Sequence, residues 1–493
     1  MIAPEKTYWD IVRTQFGKNR VAVWAARLLG ALFVLAILAP ALCTSSPFYV
    51  SLRDDNPYAK TVRAEGRDIP RFPWFVDLLD HNRFPSGVDL FFNLLLVALL
   101  PAVALWRFTC GPARRVAFGI LGGSFVVAYL MVLVPGLSGL KSPLHYSKPK
   151  IDYREIRAPE LDLVRADVKL RTFRGRLSDA EAMVRSAEAR LGAATVPAGS
   201  NAEADRLAAQ DRLETAERQI GKWEAAREKA LKRREDPRLA YTMILPPVGY
   251  HHGDNDADRN VEAPTLAGGW GTWHLLGTDV NGRDVLALIL YGTRVSLTIG
   301  VVAVSIYCTI GTILGSLMGY FGRWIDMLGS RLIEIMLCFP TFAFILILVA
   351  VTGRKNIFMI MFAIGIIGWT GAARLIRGQF LVERGLDYVF AARALGIPRR
   401  RIVFKHILPN AIHPIFVTAT FGVASAILLE SGLAFLGLGD PQVPSWGQTL
   451  LQGRQTKEEW LIHSPGIAIF FTVTILNLVG EGLRDALDPK LRQ

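Results

Sequence analysis

The sequence predicts an all-α integral membrane protein with about eight transmembrane helices and a soluble helical hairpin inserted among them. Composition is the first indication, since 51% of the 493 residues are hydrophobic and only 20% are charged. Second, apolar stretches of about twenty residues, the length of a bilayer-spanning helix, recur along the chain. Third, a charged central segment shows the periodicity of amphipathic helices.

Charge and cysteine usage fit a membrane protein. The net charge is +13, and many of the basic residues flank apolar stretches, which favours cytoplasmic loops over nucleic-acid binding. The four cysteines show neither metal-ligand nor disulfide spacing, so we interpret them as small core residues: Cys43, Cys110, Cys308 and Cys338. The first apolar stretch lacks a convincing cleavage site and is interpreted as a retained anchor.

The N-terminal part is predicted to contain three spans. Residues 1–20 form a cytoplasmic start, because Lys6, Arg13, Lys18 and Arg20 favour the inner side. An external loop at 44–88, whose arginines run against this charge rule, follows the first span. The three predicted spans, all within 21–135, cover about 21–43, 88–106 and 116–135.

Residues 136–275 are predicted to form an extracytoplasmic insertion with a helical hairpin over about 158–236. Apolar residues recur three and four apart in each half of this hairpin, which indicates two helices with a coiled-coil seam. The segment VPAGSN at 196–201 interrupts them, so an antiparallel pair is expected. Its charged face is either a solvated surface or a binding surface.

The polar stretch HHGDNDADRN at 251–260 offers aspartate oxygens and histidine nitrogens as ligands. It lacks the remaining features of a calcium-binding loop, so a flexible polar loop is favoured over a metal site. We predict no metal and no cofactor bound by this chain.

The C-terminal part is predicted to cross the membrane five more times. These spans cover about 291–319, 332–351, 357–376, 411–437 and 465–482. With an inner N-terminus, the loop 377–410 and both chain ends are cytoplasmic, in agreement with their arginines. Arg354 and Lys355, in a tight outer turn, disagree with this orientation.

The cytoplasmic loop is densely basic between Tyr388 and Pro414. A first helix is predicted from Tyr388 to Leu395, a turn at Gly396-Ile397-Pro398, and a second helix from Arg399 to Leu408 that ends near Pro409. A rigid helical loop of this kind, protruding from the membrane into the cytoplasm, is typical of a binding surface for a partner protein.

Small and acidic residues within the apolar spans have alternative interpretations. Gly311, Gly315 and Gly319 stand four apart, which suits either tight packing within the chain or a moving interface. Glu334 has Arg331 one helical turn away, which favours a local ion pair. Glu430 either lines the transport pathway or bonds a neighbouring helix.

No catalytic constellation is present, and the chain is not predicted to be an enzyme. Its only Gly-Lys pairs, Gly17-Lys18 and Gly221-Lys222, are followed by Asn and Trp, so neither belongs to a P-loop. Any ATP hydrolysis therefore belongs to another chain.

From Leu275 onward the sequence resembles ABC-importer permeases for dipeptides, oligopeptides and nickel, of the subunit type with a long first external loop. The resemblance rests on LLGTDVNGRDVLALILYGTRVSL at 275–297, the loop 388–410, SGLAFLGLGDPQVPSWGQTLLQGR at 431–454 and NLVGEGLRDALDPKL at 477–491. Their joint occurrence in this order is more specific than any single motif. The loop is similar to the family's EAA motif, although Phe390 replaces its Glu and His406 its Ile.

The resemblance implies a permease subunit of an ATP-driven ABC importer for peptides or related solutes, in the cell inner membrane, with its core at 276–493. It also implies a homologous second permease, two ATP-binding subunits and an extracytoplasmic substrate-binding protein. Small residues Ala391, Ala392 and Gly396 would form the close-packed face of the coupling loop. The residues expected to dock the ATPase are Phe390, Ala391, Ala392, Gly396, Arg399, Arg400, Arg401, His406, Leu408 and Pro409.

Two further function classes remain open at this point. One is a non-transporting, ATPase-coupled signalling protein that acts through the external hairpin. The other is an ion-coupled secondary transporter. The sequence names neither the solute nor the partner of the hairpin. The extra N-terminal spans and the hairpin depart from the usual pattern of the family.

Overall fold

A computed structural model describes residues 8–53, 55–64, 69–78, 87–108, 122, 125–126, 153–192, 202–256, 259–266, 271–352, 356–441 and 443–487. The chain divides into two compact units. The membrane unit comprises 1–39, 84–139 and 288–493, and the insertion unit comprises 40–83 and 140–287. Four features of the sequence lie wholly or largely outside the described residues: the predicted span 116–135, the break at 196–201, the turn with Arg354 and Lys355, and the last residues of the C-terminal block.

The described elements are mostly helices. In chain order they are α1 (Tyr8–Lys18), α2 (Arg20–Leu42), β1 (Tyr49–Leu52), α3 (Pro57–Ala64), α4 (Pro73–Asp77), α5 (Gly87–Phe108), α6 (Tyr153–Ile156), α7 (Ala158–Gly192), α8 (Ala202–Arg234), a 3-10 turn (Pro237–Leu239), β2 (Tyr241–Ile244), α9 (Val285–Phe321), α10 (Arg323–Cys338), α11 (Thr341–Thr352), α12 (Ile357–Glu383), α13 (Asp387–Ala394), α14 (Arg399–Arg401), a π-helical turn (Ile402–Ile407), α15 (Leu408–Ala411), α16 (His413–Phe435), α17 (Trp446–Thr456) and α18 (Glu459–Leu487).

Five of the described helices are long and apolar enough to cross a membrane, namely α2, α9, α12, α16 and α18. The pair α10 and α11 gives a sixth if it is counted as one span, but the two helices are bent by 80°. The predicted span over 332–351 therefore falls on two bent helices, and a single crossing by this pair stays a prediction. Phe339 precedes Pro340, a position that disfavours helical geometry, and Phe339 is extended (φ −88°, ψ 129°). α5 contributes a shorter apolar stretch over Val88–Leu99.

The helix that contains the predicted span 357–376 continues beyond it, because α12 runs from Ile357 to Glu383. Arg377, just past the predicted end, is tied to Asp326 of α10 by two hydrogen bonds, one of them 2.8 Å long. The hydrogen bonds to Asp326 neutralise the charge of Arg377, so that the helix can continue past the apolar part of the span. The loop between α12 and α16 therefore begins at Arg384.

The glycine repeat of α9 packs on α12. A Cβ on Gly311 would lie 2.5 Å from Ala372 Cβ, and one on Gly315 would lie 2.5 Å from the carbonyl oxygen of Ala373. A Cβ on Gly319 would meet Phe380 in the same way. The absence of side chains thus allows the two backbones to approach closely, as tight intrachain packing requires.

The N-terminal helices are joined to the core by Arg294 of α9, which is fully buried. Its guanidinium donates to the Ala36 carbonyl of α2 at 2.6 Å, and to the side chains of Asn93 at 2.9 Å and Asp89 at 3.3 Å on α5. Pro40 has no N–H, so the Ala36 carbonyl lacks its usual helical donor. Arg294 supplies that hydrogen bond, and α2 and α5 thereby pack on α9.

Two of the sequence blocks quoted above meet within the membrane unit. The buried Trp446 donates from its indole nitrogen to the Ile289 carbonyl at 3.0 Å. Its ring lies so close to Gly292 that a Cβ there would be 2.8 Å from Trp446 Cδ1. Position 292 in the YGTR sequence must therefore be glycine, because a larger residue would clash with Trp446 of the PSWG sequence.

The insertion unit contains the predicted helical hairpin, formed by α7 and α8. Ion pairs join Arg233 to Asp162 at 3.2 Å, Arg227 to Asp167 at 2.7 Å and Arg174 to Glu224 at 3.1 Å, in antiparallel order. Small apolar side chains are buried along the helices: Val164, Val168, Ala180, Ala187, Ala209, Ala216 and Ala230. At 1.5 Å per residue, each helix is about 50 Å long.

The stretch at 251–256 is well packed, so the expectation of a flexible loop there is wrong. His251, His252 and Asp254 are buried, and Asp254 accepts a hydrogen bond from the His251 N–H at 2.8 Å. Asp256 is bound by Arg165 of α7. No group of three or more potential ligands suits a metal ion among the residues with assigned positions, which exclude 257 and 258.

The block LGTDVNGRD at 276–284 folds into a loop that starts α9. Asp279 accepts from the N–H groups of Asn281 and Arg283, both at 2.8 Å. Asp284 caps the helix by accepting from the Ala287 N–H at 2.8 Å, and its other oxygen lies 2.7 Å from His274 Nδ1. The acidic residues of this block therefore have a structural role: they order the loop and cap the N-terminus of α9.

Candidate functional site

The candidate site is the loop between α12 and α16. Its first helix, α13, runs from Asp387 to Ala394, with Leu395 as its C-cap. Gly396 follows with φ +73°, a left-handed conformation that glycine adopts without strain and that commonly ends helices. The Ile397 N–H donates to the Ala392 carbonyl at 3.1 Å, which closes the turn. The predicted helix, turn and restart are all present.

The second helical run is longer than predicted. It continues from Arg399 through a π-helical turn at Ile402–Ile407 to Ala411, so Pro409 does not end it. Pro409 lies in the first turn of α15, directly after the π-helical turn. The wider π turn allows the chain to pass this proline.

One face of the loop is part of the hydrophobic core of the membrane unit. Val389 and Ala392, three residues apart, share a helix face and are buried together with Ile402 and Ile407. Ala392 is therefore buried within this chain, and its predicted contact with the ATPase stays a prediction. Its small side chain packs inward.

Other positions of the loop expose large apolar side chains. Leu395 is 79% exposed, Phe404 64% and Phe390 54%, and Ala391 is also exposed. Sequence reasoning identified Phe390 and Ala391 but missed Leu395 and Phe404. Large hydrophobic residues in a basic, polar loop, at helical positions that do not align with the buried residues, could have predicted these exposed side chains.

The same loop exposes several basic groups. Arg399, Arg400, Arg401 and Lys405 are exposed. The Arg393 guanidinium lies over the Tyr320 ring at 5.6 Å and over the Phe390 ring at 6.0 Å. The loop thus exposes both large apolar and positively charged side chains.

The remaining predicted docking residues contribute less to the exposed face. His406 and Leu408 are half-buried, whereas Pro409 is exposed. A Cβ on Gly396 would meet no atom within 4 Å, so this position is open as well as left-handed. Gly396 shapes the turn, and Leu408 packs against the core.

The loop is firmly attached to the helices around it. Arg384 donates to the Gly319 carbonyl of α9 at 2.9 Å, beside the pair of Arg377 with Asp326. The Tyr388 hydroxyl donates to Glu383 at 2.6 Å. Partial burial and this hydrogen bond raise the pKa of Tyr388. A displacement of the loop would therefore move the ends of α9, α10 and α12.

The two acidic residues of the apolar spans have structural partners. Arg331 donates to Glu334 at 2.6 Å, which is the predicted ion pair. Glu430 is buried, with hydroxyl groups of Ser431, at 3.5 Å, and Ser445 as partners. A nearby apolar groove of about 540 Å³ is lined by Ser431 and Gly432 but not by Glu430. Glu430 thus has hydroxyl partners within this chain, and its alternative role in the transport pathway stays a prediction.

Comparison with known families places two parts of the chain. Residues 311–493 match the family described as binding-protein-dependent transport system inner membrane component. Residues 7–60 match the N-terminal transmembrane domain of oligopeptide transport permease C. The first match contains the candidate site, and the hairpin lies outside both.

Known relatives extend this similarity. The oligopeptide transport system permease protein OppC of Haemophilus influenzae is 43% identical over 262 residues, which cover 52% of this chain and 83% of that protein. The chain belongs to the family of binding-protein-dependent transport system inner membrane components. The dipeptide permease DppC of Alkalihalophilus pseudofirmus is 43% identical over 222 residues, which cover 44% and 73% of the two chains. The glutathione permease GsiD of Pectobacterium atrosepticum is 38% identical over 240 residues, which cover 48% and 77%.

A solved inward-facing structure of the MetNI methionine ABC transporter is also similar, with a TM-score of 0.35 and 16% identity. The match covers 41% of this chain and 97% of the other. Family membership, which rests on the sequence relatives, makes this chain a multi-pass membrane component of a transport system.

Proposed function

We propose that this chain is a permease subunit of an ATP-driven ABC importer for peptides or closely related solutes. Its relatives are named oligopeptide, dipeptide and glutathione transport permeases. The observation that carries the mechanism is the exposed apolar and basic surface on a loop that is fixed to the spanning helices. Family membership favours transport over the signalling and ion-coupled classes.

The exposed surface of the loop receives an ATP-binding subunit. Phe390, Leu395 and Phe404 supply apolar anchors, and the arginines around them pair with acidic groups at the rim of a partner groove. Because the chain contains no P-loop, ATP is bound by that partner and not here.

Movement of the loop is the coupling step. Ile402 and Ile407 lie in the core, and Arg384 and Arg377 link the loop region to α9 and α10. Movement of the ATP-binding subunit against the loop therefore shifts several spans together, as a rigid-body change between inward-open and outward-open states requires.

The complete importer contains more chains than this one. A homologous second permease, two ATP-binding subunits and an extracytoplasmic substrate-binding protein complete the assembly. In this arrangement the protein lies in the inner membrane of the cell. Both termini and the loop are cytoplasmic, and the insertion unit is extracytoplasmic. The binding protein determines most of the choice of solute.

Charge substitutions on the exposed anchors test this function. Leu395→Asp and Phe404→Asp should each weaken attachment of the ATP-binding subunits by about tenfold or more, because central apolar anchors dominate interface energetics. Peptide uptake by the complex reconstituted in liposomes should fall in parallel. Leu266→Asp, at a position of similar exposure in the insertion unit, is the matched control. Unchanged uptake by both loop variants would contradict the docking surface.

A further inference from the structure

The short helix α4 is fixed to the chain that follows α2. The Trp74 N–H donates to the Pro47 carbonyl at 3.2 Å, and the Val50 N–H donates to the Arg71 carbonyl at 3.0 Å. The rings of Trp74 and Phe48 lie 5.5 Å apart, edge to face. The position of residues 71–77 is therefore set by residues 47–50.

Trp74 also relates α4 to the end of a membrane span. Its indole N–H donates to the Pro40 carbonyl at 2.6 Å. Pro40 lies two residues before the end of α2, so the contact is about 3 Å along the axis from that end. Since α2 is a candidate span, its end marks the boundary between acyl chains and headgroups, where tryptophan is favoured.

Two large apolar side chains extend from α4 without being covered. Phe72 is 54% exposed and Phe75 is 64% exposed. Phe72 contacts the Tyr49 ring at 5.8 Å, and Tyr49 pairs with the exposed Ile244 across the two-stranded sheet. The exposed Arg71 precedes Phe72. Phe72, Tyr49 and Ile244 thus form an apolar patch, and an exposed arginine is adjacent to Phe72 in the sequence.

We propose that Phe72 and Phe75 insert into the bilayer interface beside the end of α2 and anchor the insertion unit to the membrane. The bilayer is the occupant that the geometry favours, because the Trp74–Pro40 hydrogen bond places the patch at interfacial depth. α2 itself exposes Phe33 and Val34, side chains that acyl chains cover. Arg71 suits the phosphates of the same leaflet, with its aliphatic stem among the apolar groups.

This inference depends on α2 crossing the membrane and not on the solute or on ATPase docking. It also gives α4 a role in the inserted region: the unit that carries the hairpin has its own contact with lipid. A protein surface of the importer is the alternative occupant, and the two give different cross-links.

The test is site-specific photocross-linking in the full-length protein. Phe72→p-benzoylphenylalanine and Phe75→p-benzoylphenylalanine are each reconstituted in nanodiscs of phosphatidylethanolamine and phosphatidylglycerol, illuminated and examined by mass spectrometry. Leu207→p-benzoylphenylalanine, at an equally exposed position on α8, is the control. The introduced side chain is aromatic and replaces an exposed residue, so folding should be retained.

Insertion predicts lipid adducts at positions 72 and 75 at least about tenfold above the Leu207 control, since burying a phenylalanine in apolar surroundings favours that state by more than one order of magnitude. Lipid adducts no more frequent than at the control would overturn the proposal. So would cross-linking of positions 72 and 75 to a protein subunit when the complete importer is assembled in the same nanodiscs.

Discussion

At the residue scale, single side chains, or their absence, decide how the spans pack. Gly315 faces the backbone of α12, where an added Cβ would lie 2.5 Å from the Ala373 carbonyl oxygen. That backbone cannot yield without moving the helix. Arg294 has the complementary role, because its guanidinium fills the hydrogen-bonding capacity that Pro40 leaves open on α2.

Substitution of Gly315 should therefore destabilise the protein. Gly315→Ala forces α9 and α12 apart and should cost about 1–3 kcal/mol, the range for overpacked cores. Gly371→Ala on α12 is the matched control, since a Cβ there meets no atom within 4 Å. Thermal unfolding in detergent should show a lower Tm for Gly315→Ala and an unchanged or higher Tm for Gly371→Ala. Equal Tm values for the two variants would contradict the packing argument.

At the element scale, a partly buried ion pair is one of the contacts that hold the base of the hairpin. Arg165 of α7 donates two hydrogen bonds to Asp256, at 3.0 and 2.9 Å. The Asp256 N–H in turn donates to the Asn281 carbonyl at 3.2 Å, in the loop that starts α9. The base of the hairpin and the LGTDVNGRD loop are thus one hydrogen-bonded network within the insertion unit.

Loss of this ion pair should loosen the first turns of α7. Arg165→Ala is expected to raise hydrogen exchange of amides in 158–170 by about tenfold, because hydrogen bonds to charged groups contribute about 1.5–3 kcal/mol. Arg174→Ala, which removes a solvent-exposed pair with Glu224, should change exchange little. Similar exchange in both variants would show that Arg165 does not hold the hairpin base.

Elements defined by local patterns were predictable from sequence, whereas contacts between distant residues were not. Helical periodicity gave α7 and α8, and Gly396-Ile397-Pro398 gave the turn of the coupling loop. The burial of Ala392 depends on which helix face meets the core, and loop composition does not specify that face. The bond from Arg294 to Ala36 joins residues 258 positions apart, so no local pattern contains it.

At the scale of the whole molecule, the chain combines a family transport core with an additional arm. The family matches cover 7–60 and 311–493, whereas α7 and α8 lie between them. The ends of the hairpin are close together, since Arg233 pairs with Asp162 at 3.2 Å. A short linker can therefore replace the hairpin and still connect the chain segments on either side of it.

Removal of the hairpin should leave the transport core functional. A chain in which a short Gly/Ser linker replaces 158–236 is expected to insert into the membrane, to retain its ATP-binding partners and to keep at least part of its peptide uptake. Uptake in liposomes and copurification of the ATP-binding subunits measure this. Complete loss of both would assign the hairpin to the core of the protein rather than to an added arm.

The central claim is that the exposed face of the coupling loop contacts an ATP-binding subunit. Leu395→p-benzoylphenylalanine in the assembled importer tests this contact directly, because Leu395 is 79% exposed on that face. Val351 of α11 has the same exposure and is the matched control, expected to react with lipid. We predict that illumination links position 395 to the ATP-binding subunit and position 351 to lipid. A cross-link from position 395 only to lipid, or to any subunit other than the ATP-binding one, would contradict the account.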